Sequence, residues 1–147
     1  MEIDALADTG FLVSVFSADD NSPTAATAYE SHTSGALAFT VLHRLEFFNA
    51  LRLRVFRGDM TEAELEKAVA DWESDIAEGI LSEVPLNLDE LYRRARLLSA
   101  NHTRKFGTRS LDLLHVASAL ELKLKIFYSF DGRQRKVAAA EKLAVRP

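Results

Sequence analysis

Four acidic residues stand where a chain can bring carboxylates together: Asp8, Glu46, Asp112 and Asp131. Asp8 follows the weakly alternating segment Ile3–Ala7, which reads as a strand, and precedes the turn residues Thr9 and Gly10. Asp131, with Gly132, ends the aromatic-rich run Ile126–Phe130, a second strand signature. The carboxyl ends of parallel strands share one edge, and α/β folds bind ligands in the crevice there. Glu46 falls in the first turns of the helix after a strand at Ala36–Thr40, so it can lean back over the same edge. Asp112 opens the helix that leads into the Asp131 strand, where the helix macrodipole favours an acid. Carboxylates at close range repel each other unless a cation joins them. Hard oxygen donors without thiolate suit Mg²⁺ or Mn²⁺. Such ions lower the pKa of a bound water and screen a phosphodiester, so metal-assisted phosphodiester hydrolysis is the chemistry that fits. The same four positions also suit a structural use, as helix caps and turn formers.

Two histidines offer a different reading. His43 with Glu46, and Asp112 with His115, are i, i+3 pairs, a spacing that places both members on one helix face. Carboxylate–histidine pairs of this kind serve di-iron bundles, but those need four long helices projecting inward. Here strands keep interrupting the helices, which favours packed or supporting roles for both histidines. Arg52, Arg54 and Arg57, and then Arg93, Arg94, Arg96, Arg104, Lys105 and Arg109, form two basic stretches. Most read as solvated helix faces, and those near the acids can hold phosphate.

The elements that must position these groups alternate. Phe11–Phe16 is apolar throughout and follows the Asp8 turn so closely that it reads as a helix. A second helix is expected over Pro23–Thr33, broken by Ser34-Gly35. The strand Ala36–Thr40 leads into a long helix, Val41–Arg57, closed by Gly58. Thr61 and Glu64 form a capping-box pattern for a helix that Gly79 stops. Leu81–Leu86 is a strand whose Pro85 points to an edge. Helix is expected over Asn87–His102, then from an N-cap at Ser110, with Leu111, Leu114, Ala117, Leu120 and Leu124 as its apolar stripe. A last helix over Arg133–Ala140 and an edge strand at Leu143–Val145 complete the chain. Strands alternating with helices predict an α/β layer fold with a mostly parallel sheet.

At 147 residues one domain, 1–147, is expected, with ordinary hydrophobic (48%) and charged (27%) fractions. The lack of cysteine excludes disulfides and thiolate metal sites. No leader-like segment or membrane-length apolar run is read, so no membrane partner is expected and cytoplasm is the default compartment. The net charge of −4 argues against indiscriminate nucleic-acid binding and leaves local basic patches free to act. Phe47, Phe48, Val55, Phe56 and Trp72 exceed what one sheet face requires and suggest a two-fold homodimer, unless they are simply core.

Taken in order, ADTGFLVSVF, TVLHRLEFFNALRLRVFRG, GTRSLDLLHVASALEL and SFDGRQRKVAAAEKL resemble the PIN-domain ribonucleases, particularly the VapC-like toxins of bacterial toxin–antitoxin pairs. The resemblance spans nearly the whole chain. It implies a three-layer α/β/α sandwich, a Mg²⁺ or Mn²⁺ cofactor, an RNA substrate and a cognate antitoxin protein. Asp8, Glu46, Asp112 and Asp131 match the family's four acids, Thr9 its hydroxyl residue beside the first, and Asn49 a common polar neighbour of Glu46. Asp8 and Asp112 are then the main metal ligands, Glu46 orients or activates water, and Asp131 supports a second ion or the water network. His115 is a supporting neighbour. Two departures stand out: Gly10 where the family usually has Ser or Asn, and AAAEKL where a small residue and Gly usually precede the last Leu. The competing function is a non-catalytic module of the same fold that holds RNA or a protein.

Overall fold

Five short strands pair wholly in parallel, in the order β3-β2-β1-β4-β5, in the computed structural model, which describes residues 2–147. They are β1 (Ile3–Ala7), β2 (Ala36–Phe39), β3 (Leu81–Glu83), β4 (Ile126–Tyr128) and β5 (Ala144–Arg146). Parallel neighbours cannot be joined by tight turns, so helices carry every crossover. These are α1 (Thr9–Phe16), α2 (Ser22–Ser31), α3 (Val41–Arg57), α4 (Glu62–Ala77), α5 (Leu88–Leu98), α6 (Ser110–Glu121) and α7 (Gly132–Ala140). The chain winds from β1 out to β3, then returns to β4 on the other side of β1. The winding direction reverses between β1 and β4, and such a switch point opens a crevice at the carboxyl ends of the strands. Asp8 and Asp131 follow the two strands concerned.

Strand alternation sends successive side chains to opposite faces. Ala5, Ala7, Leu37, Phe39 and Tyr128 join one apolar cluster with α1 to α4, whereas Leu6, Ala38 and Phe127 join a second with α5 to α7. The layers are therefore α/β/α, as the resemblance implied. The five apolar residues that suggested a dimer are mostly core: Phe47 and Trp72 are fully buried, and Phe48 and Val55 pack against the same cluster. Among those five, Phe56 alone is exposed, at 87%.

Local signals set most element ends. Thr40 and Thr61 cap α3 and α4, and Gly58 closes α3 at φ +81°. Other ends differ from expectation. The cap of α6 is Arg109, with Ser110 already helical, because the Asp112 carboxylate accepts the Arg109 backbone N–H (3.4 Å) and Nε (3.3 Å). β3 stops at Glu83, two residues short of Pro85, which has no N–H for the ladder. α5 does not run straight to His102. A π turn, Ser99–Thr103, and one helical turn, Arg104–Phe106, follow it, and Gly107 at φ +69° ends the stretch. The departure in the tail falls on Lys142 at φ +66°, where Gly would sit without cost. Among the described residues, no helix is long and apolar enough to cross a membrane.

Candidate active site

Parallel pairing holds the ends of β1 and β4 side by side, and the Asp8 N–H continues the ladder to Tyr128 O at 2.9 Å. Asp8 then caps α1, its Oδ1 accepting the Phe11 N–H at 2.7 Å. Its Oδ2 accepts the Ser129 hydroxyl at 2.6 Å, and Ser129 Oγ in turn accepts the Asp131 N–H at 3.0 Å. Asp131 caps α7, with Oδ1 accepting the N–H groups of Arg133 (3.0 Å) and Gln134 (2.9 Å). From the first turn of α7 the Gln134 side chain donates Nε2–H to Asp112 Oδ1 at 3.1 Å. Asp8, Asp131 and Asp112 are thus stitched together through Ser129 and Gln134. With Gly10, Phe11, Asn21, Arg109 and Phe130 they line a cavity of about 270 Å³. These three acids serve in helix caps and also face one cavity.

Burial pushes the Asp8 carboxyl above its ordinary range, although the Ser129 and Phe11 donors oppose the rise. The Asp131 charge raises it further, so the two carboxylates sense each other. Asp112 has a counter-charge in Arg109, but that side chain is largely exposed, and water screens the pair.

Glu46 does not line this cavity. Its Oε1 lies 2.7 Å from His115 Nε2 and accepts the Thr9 hydroxyl at 3.3 Å. Thr9 is the residue after Asp8, and His115 stands one turn beyond Asp112 on α6, so Glu46 adjoins the acidic wall through these two side chains. A carboxylate only accepts, which puts the His115 proton on Nε2. The expected pairs within α3 and within α6 do not form; His115 reaches across to α3 instead. His43 packs against the His115 ring, centroids 4.5 Å apart. Its Nε2–H donates to Ala7 O at 2.7 Å and its Nδ1 accepts the Thr40 N–H at 3.1 Å, the pattern of a neutral imidazole. Burial holds its pKa well below the usual histidine value. His43 therefore fastens α3 to the end of β1. Asn49 is exposed and makes no side-chain hydrogen bond among the described residues. At Gly10 a Cβ would meet only Asp8 Oδ1, at 3.7 Å, so the missing family side chain leaves space rather than a rearranged backbone.

Two residues went unnoticed in the sequence. Ser129 is a lone hydroxyl in an otherwise apolar run, which was a usable signal. Gln134 sits three residues after Asp131, the spacing of a capping box.

The donor chemistry suits a hard divalent cation, since the cavity offers carboxylate and amide oxygen and no sulfur. Among the described residues, no group of three or more His, Asp or Glu side chains is gathered tightly enough to enclose an ion. Mg²⁺ keeps several waters and binds through one or two carboxylates, so the fit is to a hydrated ion. Asp8 and Asp112, which both line the cavity, would hold it.

A doubly wound α/β/α chain with acids at the switch point is the class defined by this fold and site, and comparison with known proteins gives it a family. The PIN domain model matches residues 5–140, and the chain belongs to that family. Among curated proteins, none matches the sequence significantly. Solved structures share the fold at low identity. The toxin VapC20 of Mycobacterium tuberculosis, described as cleaving the sarcin-ricin loop, is 18% identical with a TM-score of 0.69, covering 98% of this chain and all (100%) of that one. VapBC2 of Rickettsia felis, bound to a promoter DNA fragment, gives 10% identity and a TM-score of 0.64 over 98% of this chain and 97% of that one. A toxin–antitoxin complex from Klebsiella pneumoniae gives 15% and 0.58 over 87% of each chain.

Proposed function

We propose that this protein is a metal-dependent endoribonuclease of one domain, 1–147, acting as the toxin of a type II toxin–antitoxin pair. The observation that carries the reading is the meeting of Asp8, Asp112 and Asp131 around one polar cavity at the β1/β4 switch point. Family membership and the toxin structures that share the fold support it. A bound Mg²⁺ or Mn²⁺ supplies an activated water and screens the phosphodiester. Asp8 and Asp112 hold the cation, and Asp131 orients the water network beside them. Glu46, bonded to His115 and Thr9 and not lining the cavity, would orient or activate the attacking water by turning toward it once the cation is bound. Arg109 at the rim can pair with an RNA phosphate. RNA as substrate places the reaction in the cytoplasm, and an antitoxin protein is the expected partner.

Incubation with total RNA should yield discrete cleavage products that chelator suppresses and Mg²⁺ or Mn²⁺ restores. Asp112→Asn should remove that cleavage while the chain stays folded, because Asn keeps the size and an acceptor for Gln134. Cleavage at the wild-type rate by Asp112→Asn would refute the assignment. The alternative, a non-catalytic module that holds RNA or a protein, predicts RNA retention without cleavage and no rise in melting temperature with metal.

Of the residues that first suggested a homodimer, Phe56 alone is exposed to carry one, and it joins further exposed apolar residues of α3. Val41, Leu45, Leu53 and Phe56 are exposed along one side of α3, an apolar stripe that a second copy would cover. Light scattering at micromolar concentration should give twice the chain mass, falling to the monomer in Leu45→Glu/Phe56→Glu. A monomer mass for the wild type removes this element alone.

A further inference from the structure

A second cavity, of about 210 Å³, adjoins the first turn of α6. Arg109 and Asp112 line the acidic cavity, and the residues one position on, Ser110 and Leu113, line this one. Its composition is the reverse of its neighbour's. Leu113 and Leu114, each 5% exposed, give it an apolar floor, and no acid lines it. Tyr92 and Arg96 line it from α5, and the i, i+4 spacing puts them on one helix face. Ser99 and Ser110 add hydroxyls. The Tyr92 ring is 53% exposed. Tyr92 and Arg96 also line a further opening along α5, whose one acid is Asp89. Of the three arginines on α5, Arg93 is tied to Glu90 and Arg94 to Glu121, each at 2.8 Å. Arg96 joins no ion pair among the described residues.

We propose that this cavity is a subsite for single-stranded RNA next to the bond being cut, with a base against the Tyr92 ring and a phosphate on Arg96. The inference rests on the RNA-cleaving reading above. Every base has a π-face, so an aromatic ring over an apolar floor holds a nucleotide whatever its sequence. The uncommitted guanidinium beside it complements the phosphate, and Arg109 supplies a second cation between the two cavities. The spacing also suits a strand. A helix with its side chains is about 10–12 Å across, and each nucleotide advances about 3.4 Å, so about three nucleotides cross the first turn of α6. The competing occupant of this face is a second copy of the chain.

The test is anisotropy titration of the full chain with a labelled single-stranded RNA of about 12 nucleotides, within the usual range of single-strand sites. EDTA keeps the RNA uncut, and a salt series is included. Tyr92→Ala should bind it about 5–150-fold more weakly, the usual cost of removing a stacking ring, with an unchanged salt dependence. Tyr92→Phe, which keeps the ring, should restore binding. Arg96→Gln should flatten the slope of log affinity against log salt by about 0.7, the loss of one phosphate contact. With Mg²⁺ and total RNA, KM should rise in Tyr92→Ala and Arg96→Gln while kcat holds, since neither residue lines the acidic cavity. Wild-type RNA affinity in both variants overturns the inference and leaves the site reading standing. A dimer mass that falls to the monomer in Tyr92→Ala assigns the face to a second copy and also overturns it. A wild-type chain that neither binds nor cuts RNA overturns the site reading, and this inference with it.

Discussion

Replacing Asp8 with Asn is expected to abolish RNA cleavage and, in the absence of metal, to raise the melting temperature at neutral pH. Asp8 is 3% exposed and accepts hydrogen bonds from Phe11 N–H and Ser129 Oγ, neither of which carries a charge. Burial raises its pKa above the ordinary 3.8, and Asp131 raises it further, so ionising it in the folded chain costs free energy that the unfolded chain does not spend. The sign follows from linkage. A carboxyl with a raised folded pKa binds its proton more tightly in the native state, so stability is lost as pH climbs from the unfolded value through the folded one. Above both values the penalty is complete. Asn has no charge to desolvate, keeps an oxygen for the Phe11 N–H, and turns its NH₂ toward Ser129, whose hydroxyl can accept. The gain should therefore be largest at neutral pH and fade below pH 3.8, where wild-type Asp8 becomes protonated in the unfolded chain as well as in the folded one. Thermal melts of both chains across that range, with EDTA, check the first half; cleavage of total RNA with Mg²⁺ checks the second. A lower melting temperature for Asp8→Asn at pH 7 would show that the buried charge is compensated. The corresponding gain for Asp112→Asn should be smaller, because Asp112 already has Arg109 and Gln134 as donors.

Trp72→Ala is expected to destabilise the fold by about 3–5 kcal/mol, the range for truncating a fully buried aromatic. Trp72 is the largest fully buried side chain and joins four elements. It stacks on Phe47 of α3 (centroids 4.3 Å, 25°), meets Phe39 of β2 edge-on (4.9 Å), and lies 5.7 Å from Phe16 of α1. Its loss leaves a cavity that rings held from three sides cannot readily fill. Trp72→Phe should cost much less, because the indole Nε1–H is buried without a partner among the described residues and nothing is lost by deleting it. Urea denaturation of the three chains, with an unchanged m-value as the sign of an intact two-state transition, measures both costs. A Trp72→Ala cost below about 1 kcal/mol would mean that the aromatic cluster collapses around the gap.

Much of the frame was legible in the sequence because the signals are local. Thr40 before Val41, Thr61 three residues before Glu64, and Gly58 after Arg57 act within one helical turn, and the α3 and α4 boundaries follow from them. Asp8 and Asp131 stood at strand ends by pattern alone, and any parallel sheet puts such ends on one edge. Asp112 in a first turn was equally plain. Local rules failed where a distant group outbid them. Ser110 looked like the natural cap of α6, yet Arg109 and Asp112 close that helix. Phe47 and Trp72 read as surplus because their burial depends on α1, α3 and α4 meeting over one face of the sheet.

What only tertiary structure decided is which groups touch. The order β3-β2-β1-β4-β5 makes β1 and β4 neighbours, and no hydrophobic period encodes strand order. The Ser129 hydroxyl bonds to Asp8 across 121 positions of chain, and His115 bonds to Glu46 across 69, while the nearer His43–Glu46 pairing does not form. The physical reason lies in the range of the forces. Caps and periodicities are settled by interactions between residues a few positions apart, so residue types and spacing reveal them. The directions of the Glu46, His115 and Gln134 side chains are settled by hydrogen-bond partners that adjoin them only once two apolar faces have closed on the sheet.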